Sequence, residues 1–153
     1  LEWRVYVDGA SSGNPGESGA GIVIYEKNKE LSRYSIYLGK MTNNMAEYEA
    51  LIFALQKARD ASVRSIDIYT DSLLVANQVS GTYKVRNPIL KGYLVAVKKI
   101  ASNFSRFSLK YIPREENRIA DMLAKAAIKN RGRRVTAPYS GEESPGIKGQ
   151  DGP

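Results

Sequence analysis

The chain has 153 residues, 42% of them hydrophobic, which suits one soluble domain with its own core. It contains neither Cys nor His, so disulfides, thiolate metal sites and imidazole chemistry are excluded, and any catalyst must use carboxylates, amides, hydroxyls, Lys or Arg. The net charge is +7, no apolar run approaches the roughly 20 residues of a bilayer span, and no charged-then-apolar leader opens the chain. These features together suggest a cytoplasmic monomer with an anionic partner and no membrane.

In chain order, Trp3 to Asp8 alternates and predicts a strand, followed by a Gly- and Ser-rich loop from Gly9 to Gly21. Ala20 to Glu26 and Leu31 to Leu38 predict a hairpin across Asn28-Lys29. Thr42 to Ala61 has Ala and Leu at helical spacing, Ser65 to Thr70 reads as a strand, and Ser72 to Val79 as a short helix stopped by Gly81. An amphipathic helix follows from Pro88 to Ser102, then a strand from Phe107 to Ile112. A last helix spans Glu115 to Lys129, with two acids near its positive end. The order β-β-β-α-β-α-α-β-α predicts an α/β domain over residues 1–131, a five-stranded mixed sheet with helices on both faces. Residues 132–153 are rich in Gly and Pro and are expected to be a flexible tail or linker.

Charge is unevenly distributed. Ser72 to Arg114 contains no acidic residue but carries Lys84, Arg86, Lys91, Lys98, Lys99, Arg106, Lys110 and Arg114, a pattern that favours a polyanion. The acids show a different pattern. Tyr6-Val7-Asp8 and Tyr69-Thr70-Asp71 close two strands alike, and parallel pairing of those strands would set Asp8 beside Asp71. Taken singly, each Asp reads better as a cap for the following turn or helix than as a site residue. Glu47 aligns with Leu51, Ala54 and Ala58 on the apolar side of its helix, whereas Glu49 aligns with Phe53, Gln56 and Asp60 on a more polar side. Asp121 lies beside the apolar stripe of the last helix, with Ala124 and Ile128. Four inward carboxylates need a counter-charge, and a hard divalent cation with oxygen ligands supplies it.

Four segments together resemble type 1 ribonuclease H. They are Asp8-Gly9-Ala10-Ser11 with Gly13-Asn14-Pro15-Gly16, Thr42-Asn43-Asn44-Met45-Ala46-Glu47, Tyr69-Thr70-Asp71-Ser72, and Pro113-Arg114-Glu115-Glu116-Asn117 running on to Ala120-Asp121. The resemblance covers about residues 3 to 130. It implies an endonuclease that hydrolyses the RNA strand of RNA/DNA hybrids, leaving 5′-phosphate and 3′-hydroxyl ends. It implies Asp8, Glu47, Asp71 and Asp121 as catalytic ligands of two Mg²⁺ ions, with Mn²⁺ as a substitute. Asn14, Asn43 and Asn44 would read the hybrid's minor groove, where an amide suits a 2′-hydroxyl. Lys40, Thr42 and Asn87 would hold a DNA-strand phosphate. For Arg114 the resemblance implies no role; its fixed charge, at the end of the acid-free run and just ahead of the helix of Asp121, leads us to expect it to handle a substrate or product phosphate. Helix capping is an equal reading of Asn43-Asn44 from the residues themselves.

Three positions depart from the family's pattern. The loop before Asp121 lacks the His that many members carry and holds Tyr111 and Arg114. Leu73 stands where many have Gln, and the basic protrusion is cut short to Gly81 through Pro88. A resolvase- or transposase-like nuclease and a non-catalytic hybrid-binding module are the competing readings. The Asn set argues against the first, and retention of all four carboxylates against the second.

Overall fold

The computed structural model describes residues 1–131; the predicted tail, 132–153, lies outside the described residues. The elements are β1 (Glu2–Gly13), β2 (Gly16–Glu26), β3 (Lys29–Met41), α1 (Asn43–Asp60), β4 (Ser65–Thr70), α2 (Leu73–Ser80), α3 (Pro88–Ala101), β5 (Arg106–Tyr111), a 3₁₀ turn (Arg114–Glu116) and α4 (Arg118–Lys129). They form one mixed sheet in the order β3-β2-β1-β4-β5. The first three strands are an antiparallel meander; β4 pairs with β1, and β5 with β4, in parallel. The expected element order and mixed sheet are both present.

Alternation along β1 sends Val5 and Val7 into the main core with Ile22, Ile24, Leu51, Leu55, Ile66 and Ile68. This face is covered by α1, which packs against β1 and, on its other side, against α3. Burial of this set is the principal favourable contribution to folding, about 1.5–3 kcal/mol for each large side chain. The opposite face carries Tyr6 and Asp8 and is covered in part by α4, which lies on β2, β1 and β3.

Two expectations are corrected. The Gly- and Ser-rich segment Gly9 to Gly21 is not a loop: β1 continues to Gly13 and β2 begins at Gly16, in continuous register from Asp8↔Gly21 to Gly13↔Gly16. Close packing on both faces overrides the low strand propensity of these residues. A Cβ at Gly9 would stand 2.2 Å from the Ala46 carbonyl carbon of α1, and one at Gly21 would stand 2.0 Å from the Ala120 oxygen of α4. The last helix, expected from Glu115, starts at Arg118; Glu115 and Glu116 belong to the preceding 3₁₀ turn. Asn117 separates the two. Instead of capping α4, its buried side chain donates from Nδ2 to the Val7 carbonyl at 2.8 Å.

Candidate functional site

β4 stops at Thr70, paired with Val7, while β1 runs on for six more residues. Asp8 and Asp71 both lie just past that last parallel pair, at the C-terminal edge where open sheets of this kind place ligands. Beneath them Tyr6 and Tyr69 stack with centroids 5.0 Å apart, as their shared register requires. Asp71 is not the cap of α2. That position belongs to Ser72, whose hydroxyl accepts from the Val75 N–H at 3.2 Å.

Glu47 reaches the same edge from α1. The close approach of α1 at Gly9 lets the Gly9 N–H donate to Glu47 Oε1 at 2.9 Å, and Glu47 is 6% exposed. Asp8, Glu47 and Asp71 each offer an oxygen within 4.8 Å of the others. Asp121 comes from α4. It is carried to the Asp8 side of the sheet because Ala120 packs against Gly21, the cross-strand partner of Asp8. All four carboxylates line one cleft of about 710 Å³, with Ser11, Ser12, Asn43, Leu73, Arg114, Lys125 and Lys129 also on its walls.

The electrostatics follow from this crowding. Burial raises the Asp8 carboxyl far above the usual carboxylate range, and the charges of Glu47, Asp71 and Asp121 raise it further. Burial also raises Glu47, opposed by the Gly9 N–H and by the charge of Arg114, and reinforced by Asp71 and Asp121. Among the described residues, none of Asp8, Glu47 and Asp71 makes an ion pair. Asp121 does: Lys125 Nζ lies 3.0 Å from its Oδ2 and Arg114 Nη2 lies 3.7 Å from its Oδ1. An all-oxygen donor set that is buried and short of positive charge fits hard divalent cations.

A second, smaller cavity of about 250 Å³ is lined by Asn14, Thr42, Asn44, Met45, Asn87, Ile89 and Leu90. Thr42 and Asn87 meet there because each caps a helix. Thr42 Oγ1 accepts from Met45 N–H at 3.2 Å; Asn87 Oδ1 accepts from Ile89 and Leu90 N–H at 2.8 and 3.1 Å. Neither Asn43 nor Asn44 is therefore the cap of α1. Asn14 is tied to this helix start by its Oδ1, which accepts from Asn43 N–H at 3.0 Å. Lys40 is exposed on β3 and does not line this cavity. Three features escaped the reading of the sequence: the Gly9 N–H on Glu47, the Asn117 tether, and Lys125. The i, i+4 spacing of Asp121 and Lys125 was the available signal for the last.

A profile described as reverse transcriptase-like matches residues 6–127. The crystal structure of RNase H1 from the halophilic archaeon Halobacterium salinarum superposes with a TM-score of 0.82 at 35% identity, covering 84% of this chain and 98% of that one. The structure of LC11-RNase H1 in complex with RNA/DNA hybrid gives 0.78 at 37% identity, covering 83% and 96%. Bifunctional protein Rv2228c of Mycobacterium tuberculosis is 36% identical over 126 residues, which are 81% of this chain and 35% of that protein. This chain thus spans about a third of the length of the mycobacterial relatives it matches. The mixed sheet and its edge of acids define a ribonuclease H-like domain, and the chain belongs to the type 1 ribonuclease H family.

Proposed function

We propose that the chain is a metal-dependent endonuclease that hydrolyses the RNA strand of RNA/DNA hybrids, acting as a cytoplasmic monomer with two Mg²⁺ ions or, as a substitute, Mn²⁺. The observation that carries this reading is the convergence of Asp8, Glu47 and Asp71, with Asp121 on the same cleft, at the open edge of β1 and β4. These four carboxylates would hold the ions. When bound, divalent cations there supply Lewis acidity and charge neutralisation for displacement at a phosphate, leaving 5′-phosphate and 3′-hydroxyl ends.

The protein's own groups account for substrate choice. Asn14, Asn43 and Asn44 stand together at the start of α1, where amides both donate to and accept from ribose 2′-hydroxyls. The caps at Thr42 and Asn87 engage one acceptor on each side chain. They leave the Thr42 hydroxyl hydrogen and the Asn87 amide hydrogens to donate to a DNA-strand phosphate. Lys40 adds charge from β3 as the duplex approaches. Lys84 and Arg86, just before α3, and Lys91, within it, are exposed and extend the positive surface. Arg114, exposed at the cleft, draws substrate or product phosphate.

The test is cleavage of matched RNA/DNA, RNA/RNA and DNA/DNA duplexes and a four-way junction, with and without Mg²⁺. Cutting of the hybrid's RNA strand that depends on Mg²⁺ is expected. An uncut hybrid, or preference for the junction, would overturn the reading.

A further inference from the structure

The four carboxylates are not equivalent. Asp8, Glu47 and Asp71 converge to within 4.8 Å, and none of them is ion-paired among the described residues. Asp121 stands outside that mutual cluster, with a cation at each oxygen: Lys125 at 3.0 Å and Arg114 at 3.7 Å. Lys125 follows Asp121 by one helical turn, in the favourable order of acid before base, so α4 itself delivers the ammonium. On the rest of the cleft wall, Lys129 lies a further turn along but makes no ion pair with Asp121.

We infer that Lys125, assisted by Arg114, is a built-in competitor for the cation that Asp121 would hold, so that the centre fills in order, first at Asp8, Glu47 and Asp71 and then at Asp121. This rests on the metal-dependent reading above. The physical reason is charge. A carboxylate oxygen in contact with an ammonium offers less net attraction to an incoming divalent ion, and the two cations repel at short range. The competitor is weak by design of its surroundings: Lys125 is 58% exposed and Arg114 71% exposed, so solvent screens both pairs. Lys125 therefore sets the threshold of the second ion without blocking it, and is a positioning residue rather than a catalytic one. On release, its ammonium remains on the wall of the cleft.

The experiment is a Mg²⁺ titration of the full chain without nucleic acid, followed by the amide resonances of Gly9 and Asp121. Gly9 reports the three-carboxylate cluster because its N–H donates to Glu47, and Asp121 reports its own side chain's surroundings. In the wild type, Gly9 should shift at lower Mg²⁺ than Asp121. Lys125→Gln should lower the Asp121 midpoint about two- to fivefold, the scale of a solvent-exposed ion pair, and move Gly9 less. Lys129→Gln removes the same charge without a pair and should have a smaller effect. In an Asp121→Asn background, Lys125→Gln should no longer matter. An Asp121 midpoint that is unmoved or raised by Lys125→Gln, or lowered equally by Lys129→Gln, overturns this inference while leaving metal binding intact. Failure of both amides to respond to Mg²⁺ in the wild type would overturn it together with the metal-dependent reading.

Discussion

Glu47 and Glu49 are two residues apart on α1 and chemically identical, yet they lead different lives. Glu47 is buried at the sheet edge against Gly9, whereas Glu49 accepts the Tyr93 hydroxyl at 2.7 Å, and that bond, after burial, helps raise the Tyr93 phenol well above its ordinary range. Glu47→Gln should therefore lower hybrid cleavage by more than the roughly 10–100-fold typical of losing an outer partner of a metal ligand. Glu49→Gln should stay within about twofold, as for a change away from the chemistry. Equal losses measured in the two variants would remove Glu47 from the centre. Arg114 presents a different question. Its guanidinium stays charged throughout the working pH range, so it cannot serve as a proton acceptor. Arg114→Ala should slow steady-state turnover while keeping the shape of the pH–rate profile. Arg114→Lys should recover part of the loss, because a point charge still attracts phosphate. Disappearance of one limb of the profile in Arg114→Ala would instead show involvement in proton transfer.

At the scale of elements, two glycine positions predict opposite signs. Gly21 of β2 lies under α4, and a Cβ there would meet the Ala120 oxygen at 2.0 Å, next to Asp121. Gly21→Ala should destabilise the fold by at least about 1–3 kcal/mol, the usual cost of overpacking, and should reduce activity by displacing α4. Gly92 lies inside α3 on an exposed face, and a Cβ there meets nothing within 4 Å. Gly92→Ala should stabilise by about 0.5–1 kcal/mol, from helix propensity. Denaturant unfolding of both variants checks the pair; stabilisation by Gly21→Ala would mean that α4 does not pack on β2 as described. Asn117 ties β1 to α4 by separate bonds. Its side chain holds the Val7 carbonyl, one residue before Asp8, and its backbone carbonyl accepts from Asp121 N–H at 3.1 Å, so one residue spans the strand and the helix that bring two of the acids.

For the whole molecule, the acidic centre makes stability depend on pH and on cations. The raised carboxyls of Asp8 and Glu47 work in one direction. Below the ordinary carboxylate value of about 4 they are protonated in both folded and unfolded chains. As pH rises above it, the unfolded chain releases those protons first, and stability falls until the raised values are passed. Asp67 works in the other direction. Its hydrogen bonds from Arg106, with that residue's charge, and from Ser108 hold it below its ordinary value, so its contribution is present above that value and is lost in acid. The metal-free protein should accordingly melt highest at mildly acidic pH and lower at neutral pH. Mg²⁺ should restore the neutral value, and Asp8→Asn should flatten the decline above pH 4. Thermal unfolding across pH in a chelator, then in Mg²⁺, reads each of these. A melting temperature that climbs steadily from acid to neutral pH in chelator would contradict the crowded, cation-deficient centre.

Much of this architecture was determined by local features of the sequence. Alternation identified the strand cores, Ala and Leu spacing identified α1, and Gly81 and Pro88 marked where α2 ends and α3 begins, because these signals depend only on each segment's own periodicity and backbone preferences. The same periodicity turned Glu47 inward and left Glu49 on the more polar side. Other features needed three dimensions. The strand from Gly9 to Gly21 reads locally as a loop, and only the pressure of α1 on Gly9 and of α4 on Gly21 explains why glycine belongs in that ladder. Asp71 by itself reads better as a helix cap, a role that the fold gives to Ser72. Asn117 carries no periodic signal at all, since its partner Val7 is 110 residues away. The four acids are spread over more than a hundred residues of chain, so their types and inward faces were local information, but their meeting at one edge was set by parallel pairing of β1 with β4 and by two helices packed on opposite faces. The pairing of those acids divides the same way: Lys125 reaches Asp121 by i, i+4 spacing within α4, a local feature, whereas the convergence of Asp8, Glu47 and Asp71 with no ion-pair partner among the described residues was decided by tertiary structure, because electrostatic coupling follows distance in space and not separation along the chain.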